Sequence, residues 1–218
     1  VNLGTSAILI NRIDMRKSDL IKNHEQFDKS LARYRQFMEK IVNAQRVIAS
    51  AEEKRDIAES VILRLCAHWE QFVDEHLVDC VNCDHLKLEE FLGVNIQKNP
   101  SKSLCQALLY GDRYRDFHDF GELKGFSKRV LPDDSNPFLA VKEPHWKRID
   151  EVYKLRNYLS HYSAKATRSL HEMYKTKYDM TNFLKPGHFL LAYDVKRFWA
   201  YFDAFEGASR DMKEWCQR

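Results

Sequence analysis

Glycine and proline are scarce, with 7 and 5 among 218 residues, too few for the dense turns of a β-sandwich or barrel. No apolar run approaches the roughly 18–20 residues of a bilayer span. The start Val1–Ile10 lacks the charged flank and apolar stretch of a secretory signal, and a first residue other than Met implies a processed or trimmed start. Five cysteines at irregular spacing form an odd set, which suits thiols in a reducing cytoplasm better than a disulfide framework. Neither sign of charge dominates: a net +3 does not by itself argue for nucleic acid. Also missing are G-x-x-x-x-G-K-[ST], G-x-G-x-x-G and H-E-x-x-H, so nucleotide loops and metalloprotease chemistry have no support, and no cofactor is expected. What is present is 44% hydrophobic and 31% charged residues, which excludes a disordered tail or low-complexity linker. A chain of this size buries roughly 70% of its unfolded surface, so it builds a core without staples. The expectation is a soluble, helical, cytoplasmic protein with no membrane association.

From Ser18 to Asn82 there is no Gly and no Pro. Leu20, Phe27, Leu31, Tyr34, Met38, Ile41 and Ile48 step by threes and fours, with His24 and Gln45 filling two places in that seam. Ser50 followed by Glu53 makes a capping box, which starts a second helix. That helix carries Val61, Ile62, Leu65, Trp69, Phe72, Val73 and Leu77, a stripe wide enough to be buried on more than one side. The pair reads as a long antiparallel hairpin, with one continuous helix as the competing reading. Between Gly93 and Pro144 lie four of the seven Gly and four of the five Pro. This stretch, 93–144, reads as an irregular insertion anchored by Phe117, Phe120, Phe126 and Phe138, with a short helix plausible at Ser101–Tyr110. Helix resumes from about His145 to Ala164 and again over about Thr167–Met180. Pro186–Gly187 marks a turn before a last helix with Leu191, Val195, Phe198, Phe202, Phe205 and Met212 in its seam. The fold class is all-α, a bundle of four to five main helices in one domain over 1–218.

The segment Leu155-Arg156-Asn157-Tyr158-Leu159-Ser160-His161 carries the chemistry. At about 100° per residue, Ile149, Val152, Leu155, Leu159 and Tyr162 fall in one sector, the seam. Asn157 and His161 share a face turned away from it. Arg156 sits at the seam's edge, its stem on apolar surface and its guanidinium reaching outward. An arginine grips a phosphate through two donors and stabilises charge building on its oxygens. A histidine titrating near neutrality takes a proton from an attacking hydroxyl or gives one to a leaving oxygen, and a carboxamide holds the substrate or the imidazole. With no carboxylate cage for a magnesium ion nearby in the sequence, the economical nucleophile is a ribose 2′-hydroxyl. The substrate is then RNA, with a 2′,3′-cyclic phosphate and a 5′-hydroxyl as products. One histidine does not readily serve both sides of a phosphorus. Two copies paired across a twofold axis would bring two Arg and two His to one cleft.

Arg156-Asn157 followed by His161 resembles the R-N-x-x-x-H form of the Arg-x4–6-His motif of the HEPN superfamily. Ala67-His68-Trp69-Glu70-Gln71-Phe72 looks like the "hWE-x-F" helix of stand-alone prokaryotic HEPN proteins from toxin–antitoxin and abortive-infection loci. The likeness covers about Ser18–Asn82 and His145–Arg218. It implies a metal-independent endoribonuclease acting as a homodimer on tRNA or mRNA, a toxin or antiviral defence effector with a neutralising antitoxin or sensor protein as partner. Catalytic roles carry over to Arg156, Asn157 and His161, with Glu70, Tyr158 and Ser160 as supporting candidates. The same resemblance allows an alternative, a non-catalytic dimeric HEPN module that binds RNA or a partner protein. The loose motif is unspecific, since Arg113 and His118 satisfy it too. The asparagine lowers chance occurrence to roughly one in a hundred chains of this length.

Between His145 and Met180 eight Lys and Arg face four acids. That local +4 exceeds the +3 of the whole chain, and Lys147, Arg148, Lys154, Lys165 and Arg168 are candidate RNA contacts. Arg113-Tyr114-Arg115 and Lys128-Arg129 are further basic clusters, and Tyr158 and Tyr162 flank the motif as possible base-stacking rings. His76, Cys80, Cys83 and His85 offer four zinc-type ligands, but their spacing is too close for a two-pair site. Core packing plus a helix end accounts for them, and no metal site is assigned.

Overall fold

A computed structural model describes the backbone of residues 3–44, 49–111 and 117–216, with side chains from residue 19 onward. Among the described residues all regular structure is helical: α1 (Leu3–Asn43), α2 (Ala51–Cys83), α3 (Leu86–Leu92), α4 (Lys102–Tyr110), α5 (Phe120–Val130), α6 (Glu143–His161), α7 (Ala164–Tyr178), α8 (Pro186–Leu191) and α9 (Lys196–Cys216). Single 3-10 turns lie at Asp133–Ser135 and Pro137–Leu139. The all-α class expected from the sequence holds, with α1, α2, α6, α7 and α9 as the long helices. Among the described residues no helix is long and apolar enough to cross a membrane. Contacts divide the chain into two compact units. The first comprises Val1–Phe27, Glu70–Val141 and Ser209–Arg218, the second Asp28–Trp69 and Lys142–Ala208.

The break between α1 and α2 falls where the capping box places it. The Ser50 N–H donates to the Glu53 carboxylate at 2.7 Å, and Ser50 Oγ accepts from the Glu53 N–H at 3.2 Å. The backbone N–H first, and then the hydroxyl, hold the Glu53 carboxyl below its ordinary range. On the other side of the turn, Lys54 Nζ donates to the carbonyls of Val42 and Ala44 at 2.9 and 2.5 Å, satisfying acceptors that α1 leaves open at its end. The two helices run antiparallel. In the second unit the Tyr34 ring meets His68, and in the first Phe27 stacks on Phe72 and Asn23 donates to Asp79, so rising numbers on α1 meet falling numbers on α2. Leu20, His24, Phe27, Leu31, Tyr34 and Met38 are buried as the seam requires, Ile41 is half-buried, and Gln45 and Ile48 lie outside the described residues. On α2 the whole stripe from Val61 to Leu77 is buried.

The stretch 93–144, which lies in the first unit as far as Val141, holds more helix than its glycine and proline content suggests. Asp119 Oδ1 caps α5 by accepting from the Glu122 N–H at 2.8 Å. Phe120, Leu123, Phe126 and Val130 then repeat at helical spacing and are buried. That face outweighs the roughly 1 kcal/mol per glycine that Gly121 and Gly125 cost a helix. The anticipated short helix appears as α4, capped by Ser101 Oγ. All four expected phenylalanine anchors are buried.

In the second unit, α6 begins with Pro144 in its first turn, where a missing N–H costs nothing. It is held by Glu151, only 6% exposed. Glu151 Oε2 accepts from Tyr178 OH at 2.6 Å and Tyr201 OH at 3.0 Å, while Oε1 accepts from Lys177 Nζ at 3.0 Å. These bonds tie α6 to α7 and α9. Gly207 on α9 lies so close to the His145 ring that any Cβ there would collide with it. Ile149, Val152, Tyr153, Leu155 and Leu159 complete the buried face of α6.

Candidate functional site

The motif occupies the last two turns of α6. Leu155 and Leu159 point into the second unit's core; Arg156 and Asn157 are half-buried, and His161 is exposed as the final helical residue. Arg156 Nη1 donates to Asn157 Oδ1 at 2.9 Å. On the helical wheel Arg156 and His161 diverge by about 140°, with Asn157 between them. The hydrogen bond therefore draws the guanidinium off the buried flank toward the face that Asn157 and His161 share. A carboxamide oriented in this way presents the arginine. Neither the guanidinium nor the imidazole is enclosed in the core.

The helix ends by a left-handed residue. Tyr162 has φ 46° and ψ 26°, and its N–H donates to the Tyr158 carbonyl at 2.8 Å. The residue is 67% exposed, which corrects its expected place in the seam. Once the backbone turns left-handed the wheel no longer describes where a side chain points. The Tyr158 ring packs against Tyr162 at 5.4 Å and Phe183 at 5.3 Å, and the residue is half-buried. Burial, then the neighbouring Tyr162 and Glu59, push its hydroxyl above the ordinary phenol range. Ser160 is exposed beside His161. Two residues farther on, α7 begins with Ser163 Oγ accepting from the Ala166 N–H at 3.2 Å.

The expected basic residues divide. Lys165 and Arg168 are exposed on the first turns of α7, directly after His161 in the chain, while Arg148 and Lys154 are half-buried on α6. Lys147 is ion-paired with Glu143 and lies over the Trp146 ring. The Lys177 charge is spent on Glu151. Arg113, Tyr114 and Arg115 lie outside the described residues. Lys128 and Arg129 end α5 in the first unit, the latter over the Phe91 and Phe126 rings. Glu70 is half-buried on α2, also in the first unit.

Two features escaped sequence reasoning. One is a groove of about 490 Å³ in the second unit, lined by Arg33, Tyr34, Phe37, Ser60 and Arg64. Phe37 is exposed there, Arg33 lies over the Tyr34 ring at 5.3 Å, and burial, then Arg33 and Arg64, lower the His68 pKa. The other is a buried cluster in the first unit. One ligand atom each of His24, His76 and Cys216 lie within 4.8 Å of one another. Both histidines are 0% exposed, and His24 Nε2 and His76 Nδ1 have no hydrogen-bond partner. An orphaned buried polar atom of this kind costs about 1–3 kcal/mol. The four close-spaced ligands read from α2 do not converge: His76 and Cys80 are buried, Cys83 ends the helix, and His85 turns to Glu89 at 3.7 Å. His24 looked like a polar filler in an apolar seam, the one signal that it has a separate task.

No protein family, no curated protein and no solved structure matches this chain.

Proposed function

We propose that this chain is a HEPN-type, metal-independent endoribonuclease that acts as a homodimer in the cytoplasm, a toxin or antiphage defence effector directed at tRNA or mRNA. The observation that carries the reading is the Arg156–Asn157 hydrogen bond, which turns a guanidinium toward the solvent face bearing His161. In the cleft formed by two copies, one imidazole takes the proton of the ribose 2′-hydroxyl as its oxygen attacks the adjacent phosphorus. The imidazole of the second copy gives a proton to the departing 5′ oxygen. The two guanidiniums hold the phosphate oxygens as negative charge builds on them. The products are a 2′,3′-cyclic phosphate and a 5′-hydroxyl. Asn157 is a positioning residue, because it acts through Arg156. Lys165 and Arg168, exposed after the turn, supply the sequence-independent attraction to the RNA backbone.

The test is incubation of the full chain with end-labelled RNA in excess chelator, beside His161→Ala and Arg156→Ala. Cleavage persists under chelation, falls roughly 10²–10⁴-fold without the histidine and roughly 10²–10³-fold without the arginine. Fragments with 3′-hydroxyl ends would exclude attack by the 2′-hydroxyl. A second reading, a dimeric HEPN module that holds RNA or a partner protein without cutting it, is favoured by the groove that carries Arg33, Arg64 and the exposed Phe37. RNA binding without cleavage by the wild-type chain, lost in Arg33→Ala/Arg64→Ala, would select it.

A further inference from the structure

Three helices bring two imidazoles and a thiol together in the core of the first unit. His24 comes from α1, His76 from α2 and Cys216 from the end of α9. His76 Nε2 lies 3.8 Å from Cys216 Sγ. A tetrahedral zinc ion with one nitrogen and one sulfur ligand sets those atoms about 3.5 Å apart, so the pair already stands near that edge. The His24 ring is fixed from behind: its Nδ1 lies 3.1 Å from Ser209 Oγ, which leaves Nε2 facing inward with no hydrogen bond. A hydrogen bond on the far nitrogen is the usual way in which a protein sets the tautomer of a ligating histidine. Rings pack the imidazoles in place, with His24 edge-on to His76 at 4.7 Å and Phe72 and Phe138 around them.

A buried imidazole nitrogen without a partner, His24 Nε2, beside a second imidazole and a thiol is an expensive way to fill an apolar core. A small cation with a preference for nitrogen and sulfur removes the expense. Magnesium and calcium select oxygen ligands and do not fit; zinc does. We infer that His24, His76 and Cys216 form a three-ligand zinc site that clips α1, α2 and α9 together within the first unit. The site uses none of Arg156, Asn157 or His161, so it stands or falls independently of the ribonuclease reading.

The experiment uses the full chain and the metal alone. Purified protein is assayed for bound zinc, stripped by chelation, and titrated with cobalt(II), whose thiolate complexes absorb in the near ultraviolet. The wild type takes up one equivalent, develops the thiolate-to-cobalt band, and melts higher with zinc than without. Cys216→Ser, at a half-buried helix end where folding is little disturbed, abolishes the band and weakens zinc binding about tenfold or more. Cys83→Ser changes neither. His24→Gln, checked for native helicity by circular dichroism, also weakens binding. The assignment is overturned if the wild type shows no band and no change in melting with zinc, or if the Cys216→Ser band equals that of the wild type. RNA cleavage is not read in either case.

Discussion

At the scale of single residues, a buried carboxylate anchors the α6 helix. Glu151 accepts from two phenols and an ammonium while almost out of contact with water. Replacing it with glutamine keeps the shape and one acceptor oxygen, but removes the charge that shortens those bonds and sets an amide N–H₂ against a donor hydroxyl. The expected cost of Glu151→Gln is about 2 kcal/mol, read as a lower urea midpoint at unchanged slope. Glu151→Leu should cost more than the amide, because Tyr178, Tyr201 and Lys177 would all lose their acceptor at once; equal midpoints for the two variants would contradict this account. Nothing in the sequence marks Glu151 apart from Asp150 next to it, since its burial depends on side chains 27 and 50 positions away. Arg156, Asn157 and His161 were legible because their spacing lies within one helix. The bond that turns the guanidinium was not, because it depends on rotamers. His24 and Cys216 meet only through the packing of three helices.

Among the elements, the turn between the two longest helices shows how much a four-residue signature carries. Ser50 and Glu53 satisfy each other's backbone donors, and without them α1 and α2 have no local reason to part. Ser50→Ala should lower stability by about 1 kcal/mol, seen as a reduced denaturation midpoint with native helicity retained; an unchanged midpoint would mean that packing alone sets the break. The hairpin, the buried stripe of α2 and the Phe198, Phe202, Phe205 and Met212 seam of α9 were legible because helical periodicity is a local property. By contrast, Pro186–Gly187 opens α8 rather than a turn, and Leu191 and the left-handed Val195 fall outside α9. The α5 helix was not, since two glycines and a flanking proline-rich stretch masked a face of four well-spaced apolar residues. At the end of α6 the error ran the other way. The wheel carried Tyr162 into the seam, yet the backbone leaves the helix at that residue, which is exposed.

For the whole molecule, the proposed ribonuclease reading turns on the number of imidazoles that one scissile bond would need. Within one chain Arg156 and His161 diverge around α6, and a single imidazole would have to reach both the attacking and the departing oxygen of the same phosphorus. In the proposed mechanism a second copy related by a twofold axis would supply the missing group from the opposite side. This arrangement has a consequence that simple loss of activity in a variant does not. When wild-type and His161→Ala chains are mixed in equal amounts and allowed to exchange subunits, half of the dimers hold one imidazole. If both are needed, only pure wild-type dimers cut, and the rate per dimer falls to about one quarter of the undiluted value; if each imidazole cuts independently of the other, it falls to about half. The proposal expects the quarter. The measurement is the initial cleavage rate against the mixing ratio, with dimerisation of both chains established by sedimentation. A quadratic curve supports the shared cleft. A straight line, or a wild-type chain that cuts as a monomer at the same rate per protomer, leaves each α6 helix to act alone and removes the mechanism built on two.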